Sequence, residues 1–262
     1  MYSKSLLALA ATISAAHAAV KGFNYGSTNT DGSAVTEERF IDLFNNAKNL
    51  QGTSGFTSAR LYTMIQAGTT DTVISAVPAA INTSTTLLLG LWASAGQADF
   101  NNELAALSAA ISTYGTEFTD RIEAISVGSE DLYRYGSVSA NTNGVGVGPD
   151  VLVNYISQVR SLIAGTAASG AKITHVDTWN SWTNGSNSAV IDAVDFVSMD
   201  AYPYYETKYD FLRSSYIPFR LISFLVLTTP SRSPMPLSST LTMPALVPPK
   251  ARTFGLPRPA GL

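Results

Sequence analysis

Arg121-Ile-Glu-Ala-Ile-Ser-Val-Gly-Ser-Glu130 is a short apolar run that ends abruptly in a carboxylate. Its length and β-branched content read as a buried strand, and Glu130 falls just past the end of it. That is where a barrel enzyme keeps an acid/base group, at the C-terminal rim of a parallel strand. Similar apolar runs occur on both sides of it, at Val20–Tyr25, Ala59–Tyr62, Thr86–Trp92, Lys172–Asp177 and Phe196–Asp200. With Ile122–Val127 they make six candidate strands.

Helix-like stretches separate these strands. Thr36-Glu-Glu-Arg-Phe-Ile-Asp-Leu-Phe-Asn45 begins with a capping residue and carries apolar residues at helical spacing. Asp71–Ala80, Gln97–Gly115 and Asp150–Ala168 behave similarly. Strand and helix therefore alternate, which implies a parallel sheet. A doubly wound open sheet normally carries a glycine-rich phosphate turn after its first strand. Tyr25-Gly-Ser-Thr-Asn-Thr-Asp-Gly32 lacks that pattern. Gly144-Val-Gly-Val-Gly148 matches no phosphate loop and reads as a flexible connection. The fold expected is an α/β (β/α)8 TIM barrel that is incomplete, with strands one to six present and seven and eight missing or replaced.

Charged residues make up only 13% of the 262-residue chain and hydrophobic residues 45%. With no cysteine, thiolate metal sites and disulfides are excluded. The histidines are His17 and His175, too few for a histidine-rich metal site. Lys4, the apolar run from Leu6 to Ala16 and the small-x-small triplet Ala16-His17-Ala18 read as a signal peptide over residues 1–18. A buried first helix is the alternative. Asn82-Thr-Ser84 and Asn184-Gly-Ser186 are glycosylation sequons and fit a secreted protein.

Composition breaks near residue 207. Residues 1–207 carry 9 basic and 18 acidic residues, whereas residues 208–262 carry 7 basic residues and one acid, Asp210. Nine of the 12 prolines also fall after residue 207. Leu221–Leu227 is apolar but too short to span a membrane. The segment 208–262 fits a disordered basic linker, a wall-binding tail, or sequence never selected as protein.

Polar and aromatic residues recur at the strand ends: Tyr25, Arg60 and Tyr62, Trp92, Glu130, Asp177 with Trp179, and Asp200 with Tyr202. Carbohydrate sites combine aromatic plates, which take the C–H faces of sugar rings, with side chains that bond hydroxyls. Tyr25, Tyr62, Trp92, Tyr202, Tyr204 and Tyr205 could form such a surface. For any one of them a core or loop place is the default. Asp131 places a like charge beside Glu130, which raises one of the two pKa values, unless both are solvated at a helix start. Arg60 either orients a carboxylate or makes a structural ion pair. His175, alone on a strand, reads as structural.

Lys21-Gly-Phe-Asn-Tyr-Gly26, Ala59-Arg-Leu-Tyr62, Leu89-Gly-Leu-Trp92, Val127-Gly-Ser-Glu-Asp-Leu-Tyr-Arg134 and Val197-Ser-Met-Asp-Ala-Tyr-Pro203 together resemble fungal members of glycoside hydrolase family 17. These are β-1,3-glucan hydrolases and glucanosyltransferases of the cell wall. The resemblance runs from about residue 20 to Glu206. It implies a (β/α)8 barrel and a retaining double displacement that needs neither cofactor nor metal. It also implies a secreted or cell-wall location, and a monomer whose partner is β-1,3-glucan. Glu130 matches the general acid/base, and Tyr25, Arg60, Tyr62, Trp92, Asp131, Asp200 and Tyr202 are the substrate-binding candidates. Ser129 stands where many related barrel glycosidases have Asn. The acidic folded part argues against a nucleic-acid partner.

The family places its nucleophile on the seventh strand, in a stretch like Val-Trp-Val-Thr-Glu-Thr-Gly-Trp-Pro, and this chain has none. Codons for Phe254-Gly-Leu-Pro-Arg-Pro-Ala-Gly-Leu262, read one base earlier, can encode that stretch throughout. Lys208-Tyr-Asp210 can be encoded by AAGTATGAT, which contains a donor-like GTATGA. The expectation is an unspliced intron near Lys208 that shifts the downstream frame, leaving glucan recognition with little turnover. Sequencing the transcript tests it.

Overall fold

Leu87-Leu-Leu-Gly-Leu91 is apolar at every position, as a strand covered on both faces must be. The computed structural model describes residues 20–136 and 146–201. Among these, six strands form one sheet: β1 Lys21–Tyr25, β2 Phe56–Leu61, β3 Thr86–Leu91, β4 Ile122–Ser129, β5 Ile173–Thr178 and β6 Ser198–Asp200. They are hydrogen-bonded in chain order, and every pairing is parallel. Right-handed crossovers taken in unbroken order put all the connecting helices on one face. A doubly wound sheet must instead reverse its order. The fold is thus the six-strand part of a (β/α)8 barrel, curled with its helices outside. The signal peptide, Tyr202, Tyr204, Tyr205, Glu206 and the segment 208–262 lie outside the described residues.

The helices are α1 Glu37–Lys48, α2 Ala76–Thr83, α3 Gln97–Thr119, α4 Asp131–Gly136, α5 Pro149–Ile163, α6 Trp179–Trp182 and α7 Ser188–Ala193. In α1 the Thr36 hydroxyl accepts the Arg39 N–H at 3.3 Å, and Glu37 and Glu38 occupy the first turn. Cap and acids both offset the unpaired N–H groups and dipole of that end. Its buried stripe is Phe40, Phe44 and Ala47, spaced to face the strands. The core between sheet and helices holds Leu61, Leu87, Leu89, Leu91, Phe100, Ile125 and Val159, all essentially inaccessible.

One expectation needs correction. The helix expected over Asp71–Ala80 begins only at Ala76, because Val73 pairs with Ile65 in an antiparallel bridge and Gln66 accepts the Ser75 N–H. Of the glycine-rich Gly144–Gly148, residues 146–148 are described and have no regular secondary structure. They pack on α4, where a Cβ at Gly146 would lie 2.4 Å from the Asp131 carbonyl oxygen.

Candidate active site

β4 and β5 lose register between Ser126 and Ser129. Such a bulge re-aims the residues that follow it. Two further features make the turn. Gly128 has φ +78, and a Cβ there would meet Asp131 Oδ2 at 2.2 Å. Glu130 itself has φ +55, a left-handed conformation that costs a non-glycine residue energy and tends to mark functional sites. The backbone is held there by the Glu130 N–H, which donates to the Val176 carbonyl at 2.7 Å, and by the Glu130 carbonyl, which accepts the Arg134 N–H at 3.1 Å.

The Glu130 side chain is half-buried, and burial is the largest influence raising its pKa. The charges of Asp200 and Asp177 raise it further, while Arg134 and Arg60 oppose them. Arg134 Nη1 stands 3.9 Å from Glu130 Oε2, too far for a strong bond. A carboxyl held up in this way keeps its proton nearer neutrality, as a general acid requires.

Asp131 differs from the expectation for it. It is fully inaccessible and accepts the Ser94 hydroxyl at 2.6 Å and the Ser129 N–H at 2.9 Å. It therefore shapes the turn rather than facing a ligand, and the like charges acting on Glu130 are those of Asp200 and Asp177. Arg60 and Asp200 meet across the sheet, from β2 to β6, with Nη1 to Oδ1 at 2.7 Å and both side chains buried. Arg60 also donates to the Ser129 hydroxyl at 2.8 Å, which ties the ion pair to the residue before the acid. Tyr62 lies under the Arg60 guanidinium, 5.0 Å from ring centre to Cζ.

Tyr25 is placed against the core. Its ring meets Phe44 edge-on at 5.1 Å, and burial pushes its hydroxyl up to about 12. Trp92 is the open plate, 38% exposed, with the Arg134 guanidinium 5.6 Å from its ring centre. Tyr133 and Tyr135 on α4 and Trp179 at the start of α6 are also exposed. A cavity of about 470 Å³ opens between the loops that follow β1, β2 and β3; Tyr62, Gln66, Trp92, Asp99 and Glu103 are among its lining.

Two buried carboxylates brace this rim. Glu103, on α3, accepts the Thr63 hydroxyl, the Met64 N–H and the Trp92 backbone. Burial raises it to about 7. Asp177, at the end of β5, accepts the Leu132 N–H at 2.9 Å, the Tyr133 N–H at 3.4 Å and the Thr178 N–H at 2.7 Å. His175 is fully buried beside it, with Nε2 to Asp177 Oδ2 at 2.9 Å and Nδ1 to the Val127 carbonyl at 2.7 Å. Asp177 is legible in the sequence at a strand end, whereas Glu103 lies inside a helix, away from any strand end. A signal was there: Glu103 sits on the same helical stripe as Phe100 and Leu107, where a charge is out of place. Among the described residues no group of three or more His, Cys, Asp or Glu is arranged to hold a metal ion. No described helix is long and apolar enough to cross a membrane.

The BtgE/BtgC glycoside hydrolase domain model matches residues 22–216. The chain belongs to that family. It is 60% identical over 204 residues to an Aspergillus oryzae protein named "Probable glucan endo-1,3-beta-glucosidase eglC", covering 78% of this chain and 44% of that protein. The Aspergillus fumigatus protein of the same name is 59% identical over 203 residues, covering 77% and 45%. A Saccharomyces cerevisiae "Glucan 1,3-beta-glucosidase" is 30% identical over 192 residues, covering 70% and 54%. The chain thus spans about half the length of these relatives. Among solved structures it is similar to an endo-laminarinase from Formosa Hel1_33_131, with TM-score 0.55 and 18% identity over 72% of this chain and 51% of that one. That likeness concerns the fold.

Proposed function

We propose that the rim binds β-1,3-glucan and that Glu130 is the general acid/base of a retaining glycosidase site. The observation that carries the reading is Glu130 itself: a half-buried carboxyl in a strained turn at the end of β4, its pKa raised by burial and by Asp200 and Asp177. The names of the relatives supply the substrate class. Trp92 and Tyr62 are the sugar-stacking plates, and the cavity between the first three loops seats part of the chain of sugars. Residues 1–18 act as a leader for secretion, and the protein works as a monomer on wall glucan.

A retaining site needs a second carboxyl about 5–5.5 Å from the first. The acids whose charges reach Glu130 from β5 and β6, Asp177 and Asp200, are both buried and committed to His175 and Arg60. The family stretch that carries the nucleophile does not occur in the sequence. The chain therefore recognises β-1,3-glucan but turns it over slowly; losing a nucleophile costs on the order of 10⁴–10⁶ in rate. The same lack disables glucanosyl transfer, which passes through the same covalent intermediate. Incubation of the purified full chain with insoluble β-1,3-glucan tests both halves. Retention on the solid with little release of reducing sugar is expected. Rapid release that disappears in Glu130→Gln, or no retention, would contradict the proposal.

A further inference from the structure

We infer that His175 is a positioning residue for Glu130: a buried imidazolium that fixes Asp177 and, through it, the turn that carries the acid. The inference rests on the reading of Glu130 as the acid/base. Its basis is the set of atoms that the ring faces. Nδ1 lies 2.7 Å from the Val127 carbonyl oxygen, which can only accept. Nε2 lies 2.9 Å from Asp177 Oδ2. That carboxylate already accepts the N–H groups of Leu132, Tyr133 and Thr178. Three backbone donors favour its ionised form. Both ring nitrogens then donate, and a ring that donates twice is the cation.

The consequence is a short chain of contacts. Val127, on β4, is three residues before Glu130, and Leu132 and Tyr133, on α4, are two and three residues after it. His175 and Asp177 hold both sides of the acid's turn from β5, while the Glu130 N–H bonds Val176, the residue between them. Trp182 packs against the imidazole edge-to-face at 5.6 Å between ring centres.

The charges are arranged to matter to the acid. Burial opposes the His175 cation, but Asp177, Asp131 and the Val127 carbonyl outweigh it and raise its pKa. Glu130 faces Asp177 from β5, Asp200 from β6, Arg60 from β2 and Arg134 from α4. Each of the two acids on β5 and β6 has a buried cation as its partner. Removing the His175 cation leaves the Asp177 charge uncompensated, so Glu130 titrates at higher pH. Removing the Asp177 charge makes Glu130 titrate at lower pH.

Carbon-13 NMR of the full chain labelled at glutamate reads this directly, with the Glu130 carboxyl assigned by its loss in Glu130→Gln. His175→Gln is expected to move the Glu130 titration upward and Asp177→Asn to move it downward. A purely structural role would lower stability in both variants without displacements of opposite sign; that pattern, or no displacement, overturns the inference. Nitrogen-15 NMR of histidine in the unsubstituted chain covers the case in which a variant fails to fold. Both His175 ring nitrogens should be protonated at neutral pH, and one bare ring nitrogen there would also overturn it. Neither readout needs turnover, so a failure here is distinct from a failure of glucan binding.

Discussion

Glu103 and Asp177 do the same mechanical work in two parts of the rim. Glu103 ties α3 to the loops after β2 and β3, through Thr63, Met64 and the Trp92 backbone. Asp177 ties β5 to the start of α4, through Leu132 and Tyr133. Both are buried, and both accept several neutral donors. They differ in one partner. Asp177 has His175, and the hydrogen bond and charge of that ring outweigh burial and lower its pKa. Glu103 is braced by neutral donors, so burial wins and its carboxyl rises to about 7. Neutral hydrogen bonds satisfy a buried carboxylate geometrically; a buried cation is what keeps it ionised. Asp177, behind the β4–β5 turn, is thereby kept ionised, whereas Glu103 beside the cavity titrates at about 7.

The largest effect should come from breaking the ionised clamp. Asp177→Ala leaves an uncompensated imidazolium and unpaired N–H groups on α4. It should cost roughly 3–5 kcal/mol in urea unfolding, the usual range for a widowed buried ion pair. Replacing both partners, as His175→Leu with Asp177→Leu, should recover much of that loss.

The second effect is in the pH dependence. The Glu103 pKa is raised from 4.5 to about 7 in the folded chain. The folded state therefore holds this proton more tightly than the unfolded one. Its contribution is complete below pH 4.5 and is lost as pH rises through about 7. At 1.36 kcal/mol per pKa unit, the loss is about 3 kcal/mol. Urea titrations at successive pH values should show this fall in the unsubstituted chain relative to Glu103→Gln. Equal pH profiles for the two would remove the contrast between the clamps.

Arg134 links the two parts of the rim and sharpens the comparison at a smaller scale. Its guanidinium donates to the Ser94 hydroxyl at 2.9 Å and to the Ser129 carbonyl at 2.6 Å, and it lies over Trp92. It is 28% exposed, so its ion pairs are partly screened. Arg134→Met should cost about 1–2 kcal/mol, mostly through the two hydrogen bonds. It should also raise the Glu130 titration, because Arg134 opposes the like charges there.

The strands were legible wherever burial on both faces made a run uniformly apolar, as in Leu87–Leu91 and Ile122–Val127. Their order followed from alternation with helices. The start of α2 was not legible, because the Ile65–Val73 bridge and the Gln66–Ser75 bond are long-range choices that override local helical spacing. Glu130 could be read from its place after a strand. The burial of Asp131 could not, since it depends on Ser94 from the loop that follows β3. Arg60 and Asp200 were found as separate strand-end residues; that they pair with each other is a property of the curled sheet, 140 residues apart in the chain. His175 reads as structural from its sequence, and its burial agrees; that both its ring nitrogens face acceptors depends on Val127 from β4 and is not legible there.

We propose this rim as a β-1,3-glucan site built around Glu130 and the Trp92 plate. Calorimetric titration of the full chain with laminarihexaose tests it most directly, with cellohexaose as the β-1,4-linked control. The β-1,3-linked oligomer should bind in preference to the β-1,4-linked one. Trp92→Ala should lose roughly tenfold in affinity, the scale of one aromatic stacking contact. Equal affinity for the two oligomers, or an unchanged affinity in Trp92→Ala, would contradict the proposal.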